Sequence, residues 1–189
     1  MSFPAQGRLD RRSLLVSAAS LAGLGAMGAF PAFAAAPAQV AIENFSPQGK
    51  SLGVVHVAKV VKSEDAWKKQ LNAEQFDVTR HAGTEQAFTG ATWNNHADGL
   101  YRCICCGTAL YDSKTKFESG TGWPSFWQPI SKMNVVEQKD TSFFMTRTAI
   151  ACTRCDAHLG HVFDDGPKPT GLRYCMNSAA LQFVPRAKA

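Results

Sequence analysis

The chain has 189 residues, with 20 Lys+Arg against 15 Asp+Glu and six cysteines. This length allows one ordinary domain plus a tail, and an apolar fraction of 45% with 19% charged residues excludes disorder of the whole chain. Six cysteines are too few for a disulfide-built miniprotein and point instead to a metal or a reaction.

The formal charge of +5 is partly the property of the N-terminus. Arg8 to Arg12 form a basic segment, Ser13 to Phe30 are apolar and uncharged, and Ala32-Phe33-Ala34 supplies small residues where a signal peptidase reads. This order predicts a secretory signal over residues 1–34, and Arg11-Arg12 makes it resemble a twin-arginine signal with a periplasmic destination. The alternative is an uncleaved anchor helix, because 18 uncharged residues is the lower limit for spanning a bilayer. Cleavage after Ala34 leaves 155 residues with 17 basic and 14 acidic side chains. The remaining +3 is ordinary for a soluble domain and argues against a nucleic-acid partner.

Residues 35–62 form an N-terminal arm, Ala/Pro/Gln-rich as far as Gly53 and read there as a linker or loosely docked segment. Ser63-Glu64-Asp65 opens a short helix with a capping serine and acids in its first turn. Asn72-Ala73-Glu74-Gln75 is a capping-box pattern for a second helix that carries Phe76, runs to about Arg80 and stops at Gly83. From Gly99 the texture becomes short β-like runs: Leu100–Cys103, Ala109–Tyr111, Val135–Lys139, Ser142–Ile150, His161–Phe163 and Leu181–Val184. The reading is a small helical lead-in followed by an antiparallel β domain.

Cys103-Ile104-Cys105-Cys106-Gly107 and Cys152-Thr153-Arg154-Cys155 are two C-x-x-C knuckles separated by 45 residues. Together they offer Cys103, Cys106, Cys152 and Cys155 as a tetrahedral thiolate set, which suits one zinc ion. The alternative is two separate dithiol redox centres, but neither pair is followed by the helical pattern that such centres usually open. With all four positions taken by sulfur, no water has a place on the ion, so the zinc is structural.

Cys175 lies in Arg173-Tyr174-Cys175-Met176-Asn177. On a strand, Arg173 and Asn177 share its side, and a cation there lowers a thiol pKa. The competing reading is a buried cysteine acting as a small hydrophobe. His158 and His161 follow the second knuckle closely and read as metal ligands, core residues or proton-transfer groups; a filled zinc site leaves the last two. Gly120-Thr121-Gly122-Trp123-Pro124-Ser125-Phe126-Trp127 is an aromatic loop in which Pro124 holds Trp123 extended.

Taken in order, Cys-x-x-Cys-Gly, Ser119-Gly120-Thr121-Gly122-Trp123-Pro124-Ser125-Phe126, His158-Leu159-Gly160-His161-Val162-Phe163 and Arg173 through Leu181 resemble the B-type peptide-methionine (R)-S-oxide reductases. The resemblance spans about Ser63 to Val184 and places a reductase domain at residues 63–186. It implies two small antiparallel sheets with short N-terminal helices, a zinc knuckle remote from the active site, and reduction of the R epimer of methionine sulfoxide in peptides and proteins. It further implies Cys175 as nucleophile, and His161 and Asn177 as groups that orient and protonate the sulfoxide oxygen. Trp123 would hold the S-methyl group, with Arg173 and His158 completing the polar side of a monomeric enzyme served by a thioredoxin-like reductant.

The chemistry is coherent. A sulfoxide is a poor electrophile until its oxygen is protonated, histidine supplies a proton near neutral pH, and the attack leaves a cysteine sulfenic acid. A different class, a zinc-held binding module without chemistry, gives His161, Asn177 and Trp123 no reason to accompany Cys175. One departure from the family pattern matters. Many relatives carry a resolving cysteine where this chain has Thr121. Cys105 is the one thiol left over, and as a resolving group it would have to leave its knuckle. Direct reduction of Cys175 by an external dithiol protein or small thiol is the expected route.

Overall fold

The computed structural model describes residues 38–141 and 146–187. The expected signal segment lies outside the described residues, as does the start of the expected strand Ser142–Ile150. The fold is mainly β, as expected, with α-helix confined to α1 (Glu64–Gln70) and α2 (Ala73–His81) among the described residues. Neither helix is long and apolar enough to cross a membrane.

The arm is more ordered than its composition suggested. β1 (Gln39–Phe45) and β2 (Ser51–Ala58) pair as an antiparallel hairpin. Ile42 and Phe45 are buried. Fully buried Asn134 fastens the hairpin, accepting from the Glu43 amide at 2.8 Å and donating to the Glu43 carbonyl at 2.9 Å. Composition hid this because the strand signal is an alternation that the Ala/Pro-rich start dilutes.

Both helices begin where their caps predict. Ser63 Oγ accepts from the Ala66 amide, and Asn72 and Gln75 exchange side-chain-to-backbone bonds of 2.8 and 3.1 Å in a capping box. Such a cap contributes about 1 kcal/mol. α2 ends at Ala82, which takes the left-handed conformation (φ 57°) expected of Gly83. The helices lie against the knuckles: the Arg80 guanidinium sits 4.9 Å over the buried Trp67 ring and donates to the Cys155 carbonyl at 2.9 Å.

The remaining strands form two further sheets. β3 (Gly99–Cys103), β4 (Ala109–Asp112) and β11 (Leu181–Pro185) make a three-stranded sheet in the order β11-β3-β4. β5 (Lys116–Phe117), β6 (Ser125–Phe126), β7 (Val135–Asp140), β8 (Arg147–Cys152), β9 (His158–Phe163) and β10 (Arg173–Met176) make a six-stranded sheet in the order β5-β6-β10-β9-β8-β7. The core lies between them. Tyr111 stacks on Phe126 at 4.4 Å, Tyr101 meets the same ring edge-on at 4.9 Å, and the Tyr111 hydroxyl donates to Met176 Sδ at 3.1 Å. Tyr174 and Met176 point into this core, so by strand alternation Arg173 and Cys175 point out of it.

Candidate functional site

The outer face of the six-stranded sheet collects the reactive side chains through register alone. Cys175 on β10 is paired with His161 on β9, His161 with Ala149 on β8, and Arg147 with Asp140 on β7. Residues opposite one another in an antiparallel pair share a face, so Asp140, Arg147, His161 and Cys175 all project to the same side. His158 should fall on the other side, three positions from His161. A bulge corrects this: Ala151 pairs with His158 and Ile150 with Gly160, leaving Leu159 unpaired. The two imidazoles therefore meet edge-on at 5.2 Å. The bulge needs glycine at 160, where φ is +154° and a Cβ would lie 2.1 Å from the Cys175 carbonyl oxygen.

A cavity of about 220 Å³ opens over Cys175, lined also by Trp123, His161, Asn177, Arg147, Phe163 and Thr84. Four of the six residues expected at the site converge here. Trp123 comes from the loop before β6, and its indole Nε1 donates to the Glu85 carbonyl at 3.1 Å. Asn177 follows β10 and is buried; its Oδ1 accepts from the Glu85 amide at 3.0 Å and its Nδ2 donates to the Leu159 carbonyl at 3.2 Å. An amide nitrogen has two hydrogens, so one N–H of Asn177 is not used by these bonds. His161 Nε2 lies 2.8 Å from Asp140 Oδ2, and the same carboxylate oxygen takes Arg147 Nη2 at 2.8 Å.

The other two expected residues stand outside this cavity. Arg173 forms two bonds of 2.8 Å to the Asp165 carboxylate, lies 4.4 Å over the Phe163 ring, and faces a neighbouring hollow with Ser119 and Thr121. His158 stands behind His161 in an adjoining groove of about 760 Å³. Burial lowers its pKa to about 4, reinforced by the charge of His161, so it is neutral at neutral pH.

The expected activation of the thiol by Arg173 is reversed by its surroundings. Burial raises the Cys175 pKa above the ordinary thiol value, outweighing the Arg173 charge and the Thr121 and Ser125 hydroxyls that pull it down. Arg173 is weakened for this purpose by its two bonds to Asp165. At rest Cys175 is a thiol.

Sequence reasoning missed Glu85, Asp140 and Arg147. Asp140 and Arg147 could have been found from the alternation of β7 and β8 once a hairpin was assumed. Glu85 lies in a loop with no periodic signal, and nothing short of the fold places it.

The four candidate metal ligands meet as expected. The Cys103, Cys106, Cys152 and Cys155 sulfurs all lie within 4.8 Å of one another, with Cys103–Cys155 and Cys106–Cys152 each at 3.6 Å. Tetrahedral sulfurs at about 2.3 Å from an ion are about 3.8 Å apart, so the set fits a soft-ligand tetrahedral metal site. The two knuckles have the same turn. The Cys103 amide donates to Thr108 O at 2.8 Å and the Cys152 amide to Ala157 O at 2.9 Å. Gly107 (φ +74°) and Asp156 (φ 55°) occupy the equivalent left-handed positions. Cys105 is 4% exposed in the first knuckle, its carbonyl held by Gln70 Nε2 at 2.8 Å, and it does not line the Cys175 cavity.

Residues 71–185 match the SelR domain family. The chain is 57% identical over 124 residues to "Peptide methionine sulfoxide reductase MsrB" of Synechococcus sp. (strain RCC307), covering 66% of this chain and 91% of that protein. It is 55% identical over 125 residues to the protein of the same name from Hahella chejuensis, covering 66% and 90%. It is 60% identical over 121 residues to "Peptide methionine sulfoxide reductase B1, chloroplastic" of Arabidopsis thaliana, covering 64% and 59%.

Proposed function

The chain belongs to the MsrB family of peptide methionine sulfoxide reductases, an oxidoreductase family, and from that premise we propose that its Cys175 cavity reduces the R epimer of methionine sulfoxide in peptides and proteins. The observation that carries this reading is the convergence of Cys175, His161, Asn177 and Trp123 on one cavity, with an apolar wall on one side and proton donors on the other. Cys175 is the catalytic nucleophile. The indole of Trp123 receives the S-methyl group, while His161 and the remaining Asn177 N–H hold the oxygen. Exchanging methyl and oxygen would press oxygen against the indole, which is the basis for accepting one epimer.

Cys175 Sγ attacks the sulfoxide sulfur while the proton of its thiol passes through His161, supported by Asp140, to the sulfoxide oxygen. The oxygen moves to the cysteine sulfur, giving methionine and a Cys175 sulfenic acid. An external thiol then displaces that oxygen as water to form a mixed disulfide. A second thiol frees Cys175 and carries the disulfide away. Thr121 cannot do this, and buried Cys105 is held in its knuckle, so the reductant is external: a thioredoxin-like dithiol protein or a small thiol. Arg173 and His158 act behind the cavity, the first on the charge around Cys175, the second against His161.

Cys103, Cys106, Cys152 and Cys155 would hold one zinc ion, which would supply structural cross-linking. The twin-arginine-like segment over residues 1–34 directs a chain with an arm at 35–62 and a reductase domain at 63–186 to the periplasm, where the monomer repairs exported proteins. A route that carries folded chains allows the thiols to be metal-loaded before they meet an oxidising compartment. The test is thiol-dependent turnover of a peptide carrying racemic methionine sulfoxide, with the epimers separated by chromatography. Consumption of the R form alone is expected. Consumption of neither overturns the reading, and consumption of the S form overturns its stereochemistry.

A further inference from the structure

Glu85 is 4% exposed and does not line the Cys175 cavity, yet both cavity walls are fastened to it. Its carboxylate accepts from the Ser178 amide at 2.6 Å and the Ala179 amide at 2.8 Å, gripping the segment that immediately follows Asn177. Its own amide donates to Asn177 Oδ1 at 3.0 Å, and its own carbonyl accepts from Trp123 Nε1 at 3.1 Å. Here one residue ties the polar wall, through Asn177, to the apolar wall, through the indole. The side chain is tightly enclosed, since a Cβ at Gly90 would lie 2.5 Å from its Oε1.

We propose that Glu85 is a positioning residue that fixes the gap between the Trp123 indole and the Asn177 amide, and thereby limits the S-alkyl group of the sulfoxide to a methyl. This rests on the cavity being the sulfoxide site. The carboxylate anchors Glu85 to the Ser178–Ala179 turn, and its peptide groups transmit that anchorage to the two walls. Loosening the anchorage lets the indole move away from Asn177, so a longer alkyl group fits and a methyl is held less firmly. Two fixed bonds on a buried carboxylate make the arrangement stiff, because losing either acceptor leaves a buried N–H without a partner.

The test compares the full chain with its Glu85→Gln variant on two peptides that differ only in carrying methionine sulfoxide or ethionine sulfoxide. A pocket built for a methyl discriminates against one extra methylene by roughly tenfold or more. In Glu85→Gln the methyl-over-ethyl ratio of kcat/KM falls by roughly threefold or more, with KM for the methyl substrate rising more than kcat falls. The Trp123 indole N–H also exchanges with solvent faster. Equal loss on both substrates, or an unchanged ratio with unchanged indole exchange, overturns the proposal. If Glu85→Gln does not fold, Glu85→Asp, which keeps the carboxylate and shortens its reach, is read the same way. Failure of the unaltered enzyme to reduce either peptide overturns the sulfoxide reading itself, a result distinct from a change in ratio.

Discussion

Thr121 Oγ1 lies 3.9 Å from Cys175 Sγ, so the position from which many family members resolve their sulfenic acid is already beside the nucleophile and lacks only the thiol. Thr121→Cys is therefore expected to restore internal recycling. After one equivalent of substrate without reductant, both thiols should be lost as a disulfide, whereas the unaltered chain gives a trappable sulfenic acid at Cys175. Peptide mapping after alkylation checks this. A sulfenic acid persisting beside an unoxidised new thiol would contradict it.

The catalytic, metal-site and leftover cysteines separate by mutation. Cys105→Ser should keep turnover with a dithiol reductant and one bound metal ion, because Cys105 is buried away from the Cys175 cavity and is not among the four sulfurs that cluster. Cys175→Ser should abolish turnover and leave the metal in place. Cys152→Ser should lose the ion and lower the melting temperature by roughly 10 °C or more. Metal analysis, thermal melts and steady-state rates distinguish the three; loss of recycling in a metal-replete Cys105→Ser protein would reverse the assignment.

The raised pKa of Cys175 has a direct kinetic signature. Alkylation of Cys175 by iodoacetamide should climb about tenfold per pH unit through neutrality, without a plateau below the ordinary thiol value of ~8.5. Asp165→Asn removes the carboxylate that occupies Arg173, leaving more positive potential at the sulfur. Its alkylation curve should move to lower pH. An unshifted curve would show that Arg173 has no hold on the thiol.

His158 links stability to pH. Its folded pKa is depressed to about 4 from an ordinary 6.5, chiefly by burial. Above 6.5 both folded and unfolded states hold it neutral, and its contribution to stability is fully present. As pH falls from 6.5 to 4 the unfolded state binds the proton first, so stability is lost by about 3 kcal/mol over that window. Denaturant titrations across this range should show the loss, and His158→Gln should flatten it.

Much of this was legible before the fold. The helix caps at Ser63 and Asn72 and the four-cysteine cluster rest on local chemistry that a one-dimensional string records. What the string hides is what depends on pairing. His158 and His161 share a face only because Leu159 bulges out of register. Asp140 on β7 reaches His161 on β9 across the intervening strand β8. Glu85 acquires its partners from residues about 40 and 90 positions away, a separation that no periodicity encodes. The thiol pKa was misjudged for the same reason: the sequence places a cation beside Cys175 but does not say that Asp165 occupies it or that the thiol is half-buried.

The two knuckles close different hairpins: Cys103 and Cys106 the turn between β3 and β4, Cys152 and Cys155 the turn between β8 and β9. Each turn can form from a few neighbouring residues, but the four-sulfur site exists only when residues from both sheets are present. During synthesis, a chain ending anywhere between the two knuckles has two ligands and no site. The cluster therefore cannot form before the second knuckle is made, and a metal held there would join the turns of both sheets.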